Sequence, residues 1–204
     1  MNNLSFSRIK KSSSLKSYIN YVENFCPLEL CNRLLEESDF RRKLNSVTGS
    51  NTYDKRIRDA CDIQFSKEDS LFCSLQECFY KQLFDYVSNF DLVSLNPHML
   101  YPEITVVSYL NQRGYIPHVD ASLPYNEKSH TRFISIVAYL NDDYIGGDIY
   151  FPEIGVSFKP KQGSCLVFPS DNLFKHGVKP VRGHKLISPC WFYSKTQGIN
   201  PFGF

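Results

Sequence analysis

The chain has 204 residues, 42% hydrophobic and 22% charged, which excludes a wholly disordered or fibrous protein. Its 23 basic and 21 acidic residues leave a net charge of +2, so no global basic field points to nucleic acid. No stretch approaches about 18 uninterrupted apolar residues, so no transmembrane helix is expected.

Aromatics make up 15%, with 13 Tyr and 16 Phe, which suggests an aromatic-rich β core. The seven cysteines are Cys26, Cys31, Cys61, Cys73, Cys78, Cys165 and Cys190. None forms a CxxC, so they read as free core thiols in a reducing cytoplasm. The opening MNNLSFSRIKKSSSLK has no apolar h-region and is not expected to be a secretory signal.

Residues 1–16 are polar, basic and serine-rich, and read as a loose tail or an edge strand. Leu28, Cys31, Leu34 and Leu35 recur at helical spacing, which predicts a helix near 27–38 with Pro27 in its first turn. Residues 40–65 lack periodicity and predict a loop with short strands. Ser66, Glu68 and Asp69 then make an N-terminal cap with favourable first-turn charge. It opens a long helix with Leu71, Leu75, Cys78, Phe79, Leu83 and Tyr86 on one face. From about residue 99 the period changes to short Val-, Ile-, Tyr- and Phe-rich runs: ITVVSYL, TRFISIVAYL, DIYF, VSF, SCLVF and KLISPCWFY. The turn signals NQRGY, NDDYIGGD, KPKQG, PSDN and VRG separate them. This predicts helices first, then about eight strands in an antiparallel sandwich or barrel. No internal repeat or second-domain boundary is visible, so 1–204 reads as a single domain. Pro189 falls inside the last strand, where its missing N–H calls for a bulge or an edge position.

His118-Val119-Asp120 lies in the β region, where residues i and i+2 share a face. Alone, HxD is a weak signal. With His176 downstream, two imidazoles and a carboxylate could fill one face of an octahedral metal, the arrangement of non-haem Fe(II) oxygenases. Lys185 follows at the start of an apolar strand, where an ammonium needs an anionic partner. A dicarboxylate whose other end chelates the metal would supply one, and the formal charges then cancel. Zinc on the same ligands stays open from residue types alone, although it would need no dicarboxylate and Lys185 argues against it. Gly146 and Gly147 read as a tight turn, since no helix follows them to make a phosphate loop. His184 and His130 read as surface or supporting residues, and His98 as structural.

The segments VVSYLNQRGYIPHVD, RFISIVAYLND, GGDIYFP, PKQGSCLVFP and HGVKPVRGHKLISPCWF together resemble the Fe(II)/2-oxoglutarate dioxygenases of the prolyl 4-hydroxylase type. The resemblance covers roughly residues 99–193, with 1–98 as a helical support region. It implies an α+β fold with a double-stranded β-helix (jelly-roll) barrel core. It implies iron ligands His118, Asp120 and His176, with Lys185 holding the distal carboxylate of 2-oxoglutarate. Tyr109, Tyr139 and Ser135 would line the cosubstrate pocket and Trp191 would close it. Ser135, Val137 and Tyr139 share one strand face. Arg132 matches a substrate-contacting position, although regular alternation would put it opposite Tyr139. Arg113 and Tyr115 would line the entrance.

The implied activity turns 2-oxoglutarate and O2 into succinate and CO2 while hydroxylating a C–H bond, with ascorbate as a supporting reductant. The implied substrate is a prolyl residue in a protein or peptide. A free amino acid or other small molecule is the alternative. A third reading, from another class, is a non-catalytic 2-oxoglutarate-sensing or partner-binding jelly roll. A nucleic-acid dealkylase fits poorly, because Arg182 is the sole arginine after His176. The expected partners are thus a polypeptide or small molecule, with neither nucleic acid nor membrane, and the expected state is a monomer or homodimer.

Overall fold

The computed structural model describes residues 14–46, 54–90, 100–110, 114–121 and 132–194. His98, Arg113 and His130 lie outside the described residues, as do positions 1–13 and most of the segment between Asp120 and Arg132. In chain order the elements are β1 (Asn20–Val22), α1 (Leu28–Phe40), β2 (Lys43–Asn45), β3 (Cys61–Ile63), α2 (Ser70–Asn89), β4 (Leu100–Ile104), β5 (Val106–Leu110) and β6 (Tyr115–His118). There follow β7 (Arg132–Tyr139), β8 (Ile145–Gly146), β9 (Ile149–Phe151), β10 (Val156–Phe158), β11 (Cys165–Pro169), β12 (His176–Val178), β13 (Val181–Arg182) and β14 (His184–Ser194).

Both predicted helices form. Cys31 and Leu34 are the buried apolar positions of α1, while Leu28 is exposed. On α2 the buried side includes Leu71, Leu75, Phe79, Leu83 and Tyr86. Its cap is Asp69, whose carboxylate accepts from Leu71 N at 2.9 Å. Ser66 instead directs its hydroxyl to Glu68, because the helix begins a turn later than Ser66 could reach.

The larger sheet runs β1-β11-β7-β14-β5-β3-β2, with β4 also on β14, and the smaller runs β10-β9-β12-β6. All pairings within them are antiparallel. The two are separate facing sheets, as in a jelly roll, and among the described residues hydrogen bonds do not close them into a barrel. From residue 100 onward the described residues form eleven strands, β4–β14, against the expected eight or so, because several are only two or three residues long and β8 and β13 pair in a small sheet of their own. The N-terminal strands β1, β2 and β3 add to both edges of the large sheet.

Strand alternation divides the core into two. Ile134, Ile136, Ala138, Leu186 and Cys190 face the helices and pack with Leu34, Leu75, Phe79 and Leu83. Val137, Tyr139, Tyr109 and Ile187 face the small sheet, against Ile149 and Phe151. Each large apolar side chain so buried contributes about 1.5–3 kcal/mol as an upper estimate. The helices thus brace one side of the large sheet and leave the other to form the cleft.

Two departures from regular pairing shape that cleft. Pro189 sits in β14 between β7 and the β4–β5 line, in neither a bulge nor an edge. Its carbonyl accepts from Thr105 N at 3.1 Å, but it cannot donate in return, and the ladder breaks there into β4 and β5. The Ser188 hydroxyl donates to Thr105 O at 2.6 Å in its place. The second departure is a register shift in the β14–β7 pairing, where Phe192 faces Ile134 but Tyr193 faces Arg132, so Phe133 is the extra residue.

Candidate functional site

His118 ends β6 and His176 begins β12, and the two are direct cross-strand partners. Their ring centroids lie 4.4 Å apart. Only His118 of the HxD pair is in a strand; Asp120 follows just past its end. Asp120 Oδ1 stands 3.5 Å from His118 Nε2, and Oδ2 stands 3.7 Å from His176 Nε2. One ligand atom from each of the three residues falls within 4.8 Å of the others.

The donor set suits a divalent metal. His118 Nδ1 lies 2.9 Å from Ile116 O, and His176 Nδ1 lies 3.0 Å from Phe174 O. A carbonyl can only accept, so Nδ1 is the protonated nitrogen in both rings and each Nε2 lone pair is free. Burial opposes ionisation of Asp120, but His176, His118 and the Ser135 hydroxyl outweigh it and hold the carboxyl well below its usual range. Burial pushes His176 down to about 4, against the pull of Asp120, which keeps it neutral and able to ligate. Tyr115 stacks on His118 with centroids 3.5 Å apart.

Lys185 is fully buried and faces Tyr109 across the β14–β5 pairing. Its ammonium donates to Gly147 O. The rings of Tyr139, Tyr144 and Tyr109 surround it at 5.2, 5.4 and 6.0 Å. Burial lowers its pKa to about 7, with Asp148 acting in the opposite direction. Gly147 lets the backbone come this close. Its φ is +68°, and a Cβ there would stand 2.7 Å from Val181 Cγ2, 3.0 Å from Tyr144 Cε2 and 3.1 Å from Lys185 Cδ.

Ser135 does not offer its hydroxyl to open space: it donates to Asp120 Oδ2 at 2.7 Å and contacts Ser170 Oγ at 2.7 Å. Trp191 faces Ser135 across β14–β7, and its buried Nε1 has no hydrogen-bond partner among the described residues. The extra residue Phe133 reverses the alternation and carries Arg132 to the cleft side, contrary to regular strand parity. Its guanidinium lies 3.9 Å from the Trp191 centroid, pairs with Glu103 at 2.8 Å and reaches Asp120 O at 3.4 Å. His184 points away from this group and contacts Ser108 at 3.0 Å.

Sequence reasoning missed Arg58 and Tyr144. Arg58 lies 5.3 Å from the Tyr115 centroid and 3.6 Å from Asp62, and it hydrogen-bonds Tyr109. No local motif marks it, because the isolated bridge between Arg58 and Tyr115 joins segments distant in sequence. The buried Tyr144 hydroxyl, beside Lys185, has no hydrogen-bond partner among the described residues. Its signal was its place just before Gly146 and Gly147.

Residues 104–193 match the 2OG-Fe(II) oxygenase superfamily. The chain carries a 2OG-Fe(II) oxygenase domain. Over 193 residues the chain is 24% identical to the "Putative prolyl 4-hydroxylase" of Acanthamoeba polyphaga mimivirus, covering 86% of this chain and 78% of that protein. The fold is shared with a Pseudomonas putida prolyl-4-hydroxylase at TM-score 0.69 and 20% identity, covering 88% of this chain and 97% of that one. It is shared also with a Trichoplax adhaerens prolyl hydroxylase solved with a hypoxia inducible factor peptide fragment, at TM-score 0.68 and 19% identity, covering 89% and 88%. These are double-stranded β-helix folds, and the oxygenase domain has that jelly-roll core. Among the described residues no helix is long and apolar enough to cross a membrane.

Proposed function

We propose that the oxygenase domain hydroxylates prolyl residues in a protein or peptide, using Fe(II), O2 and 2-oxoglutarate. The observation that carries the reading is the pairing of a two-His, one-carboxylate cluster with a buried ammonium that has no carboxylate within ion-pair distance among the described residues. His118, Asp120 and His176 would hold the metal. Bound there, Fe(II) would supply the O2-activating redox chemistry, with 2-oxoglutarate as the reductant that leaves as succinate and CO2.

The chain's own residues bind, orient and exclude water. The Ile116 and Phe174 carbonyls hold the two imidazoles in one tautomer, which leaves both Nε2 lone pairs free for a metal that these residues would hold. Asp120 and His176 are 7% and 4% exposed, which keeps bulk water from the reacting centre. Lys185 binds the distal carboxylate of the cosubstrate, and Tyr109 and Tyr139 form the walls beside it. Arg132 and Trp191 form the substrate side. Ascorbate would keep the metal reduced between turnovers. The seven free thiols support a reducing compartment, the cytoplasm. The similarity to prolyl hydroxylases, one of them solved with a peptide, favours a polypeptide substrate over a free amino acid.

Succinate formation by Fe(II)-loaded protein, with and without proline-rich peptides and beside Asp120→Ala, tests the reading. Peptide-stimulated turnover that disappears in the variant is expected. Turnover dependent on Asp120 but indifferent to peptide would discard the substrate. No turnover together with no 2-oxoglutarate binding would leave a non-catalytic module.

A further inference from the structure

Asp120 is held from behind by two hydroxyls, and the direction of that chain follows from elementary donor counting. A carboxylate only accepts, so the single hydroxyl proton of Ser135 goes to Asp120 Oδ2 at 2.7 Å. The Ser135 oxygen must then accept from Ser170, whose Oγ is also 2.7 Å away. The order is Ser170 to Ser135 to Asp120, in which each bond polarises the next. Both serines are buried, at 0% and 1% exposure.

Ser170 also fixes the chain around Asp120. Its amide donates to Phe133 O at 2.9 Å, at the extra residue of β7, and its carbonyl accepts from Ala121 N at 2.8 Å. The residue after Asp120, the irregularity that turns Arg132 inward, and the exit of β11 are thereby tied at one point. The Ser135 hydroxyl occupies Oδ2. Among the described residues Oδ1 takes no hydroxyl or amide hydrogen bond and faces His118 Nε2 at 3.5 Å.

We propose that Ser135, backed by Ser170, is a positioning residue that fixes Asp120 as a one-oxygen metal ligand through Oδ1. The inference rests on the metal reading of the site above. Without the Ser135 hydroxyl the carboxylate can rotate, Oδ2 competes for the metal, and the three-ligand face is no longer preorganised.

The test uses the full chain as wild type, Ser135→Ala, Ser170→Ala, Ser135→Thr and Asp120→Ala. Each is titrated with Mn(II), read by electron paramagnetic resonance, and with Co(II), read by visible absorption, with thermal melting as the control for folding. Ser135→Ala is expected to weaken Mn(II) binding by about tenfold and to alter the Co(II) spectrum. Ser170→Ala should do the same to a smaller extent, and Ser135→Thr, which keeps the hydroxyl, should restore wild-type behaviour. Wild-type affinity and spectrum in Ser135→Ala, with binding abolished in Asp120→Ala, would overturn the positioning role and leave the metal reading standing. Should Ser135→Ala fail to melt cooperatively, an unchanged Ser170→Ala would overturn it equally. Wild-type protein that takes up neither ion, or Asp120→Ala that binds both as well as wild type, would overturn the metal reading and this inference with it.

Discussion

The Arg132 guanidinium lies 3.9 Å from the centroid of the Trp191 ring, although regular alternation along β7 would set the two on opposite sides of the sheet. The extra residue Phe133 makes the stack possible, and Glu103 fixes it with two contacts of 2.8 Å from one guanidinium nitrogen. Arg132→Ala is expected to raise the KM for peptide by about tenfold, a loss of roughly 1–2 kcal/mol for a partly buried stacked cation. The Kd for 2-oxoglutarate should stay within about twofold, since Arg132 touches none of the Lys185 pocket. Arg132→Lys should not restore the KM, because an ammonium cannot both stack on Trp191 and fork onto Glu103. Steady-state kinetics with varied peptide, beside cosubstrate binding by calorimetry, checks the prediction.

Lys185 predicts a pH dependence. Its folded pKa of about 7 lies below the ordinary 10.5, so between those values the folded, cosubstrate-free protein binds fewer protons than the unfolded chain. The lysine's contribution to stability therefore rises as pH increases from about 7 towards 10.5, and its penalty is fully present below about 7. Lys185→Met removes that dependence. The melting temperature of the variant minus that of wild type should be highest near pH 6 and fall steadily by pH 10, read by thermal unfolding across the range. A difference independent of pH would mean that Lys185 keeps its ordinary pKa. The same variant should lose 2-oxoglutarate binding by at least about a hundredfold, as expected for removing one partner of a buried charge pair.

Gly147 is required twice, by its positive φ and by the lack of room for a Cβ against Val181, Tyr144 and Lys185. Gly147→Ala is expected to cost at least about 2 kcal/mol, from the left-handed backbone and the clash with Val181 together. It should also weaken 2-oxoglutarate binding, because the carbonyl that orients Lys185 belongs to the same residue. Denaturant unfolding and cosubstrate titration read the two effects separately. Gly155→Ala provides the comparison: its φ is also positive, but nothing lies within 4 Å of the added Cβ, so it should lose only stability.

The Ser188 hydroxyl replaces the ladder bond that Pro189 cannot make. Ser188→Ala leaves Thr105 O without that donor in a part-buried position and should cost about 1 kcal/mol. Ser188→Thr keeps the donor and should recover most of the loss if its added methyl packs. Ser188→Ala combined with Pro189→Ala should be less destabilised than Ser188→Ala alone, since replacing the proline restores a backbone amide proton for Thr105 O. Equilibrium unfolding of the three variants closes the comparison.

Local sequence was sufficient for the two helices and for nominating His118, Asp120 and His176, which the structure brings together. Helical spacing placed α1 and α2, and alternation put Ser135, Val137 and Tyr139 on one face of β7. Both signals come from local backbone geometry, in which side-chain direction follows chain position. The near-neutral charge and the order of HxD, His176 and Lys185 along the chain were likewise legible from residue types. Which residues meet was settled only by the packed strands. The cross-strand pairing of His118 with His176, the approach of Arg58 to Tyr109 and Tyr115, and the hydroxyl chain from Ser170 to Asp120 join segments far apart in sequence. No local propensity encodes such pairings. Register governed the rest: one extra residue at Phe133 moved Arg132 to the other face, and one missing amide at Pro189 split a strand. Because the side-chain period of a strand is two, a single-residue irregularity reverses what it faces, and that irregularity is visible only once the partner strand is in place.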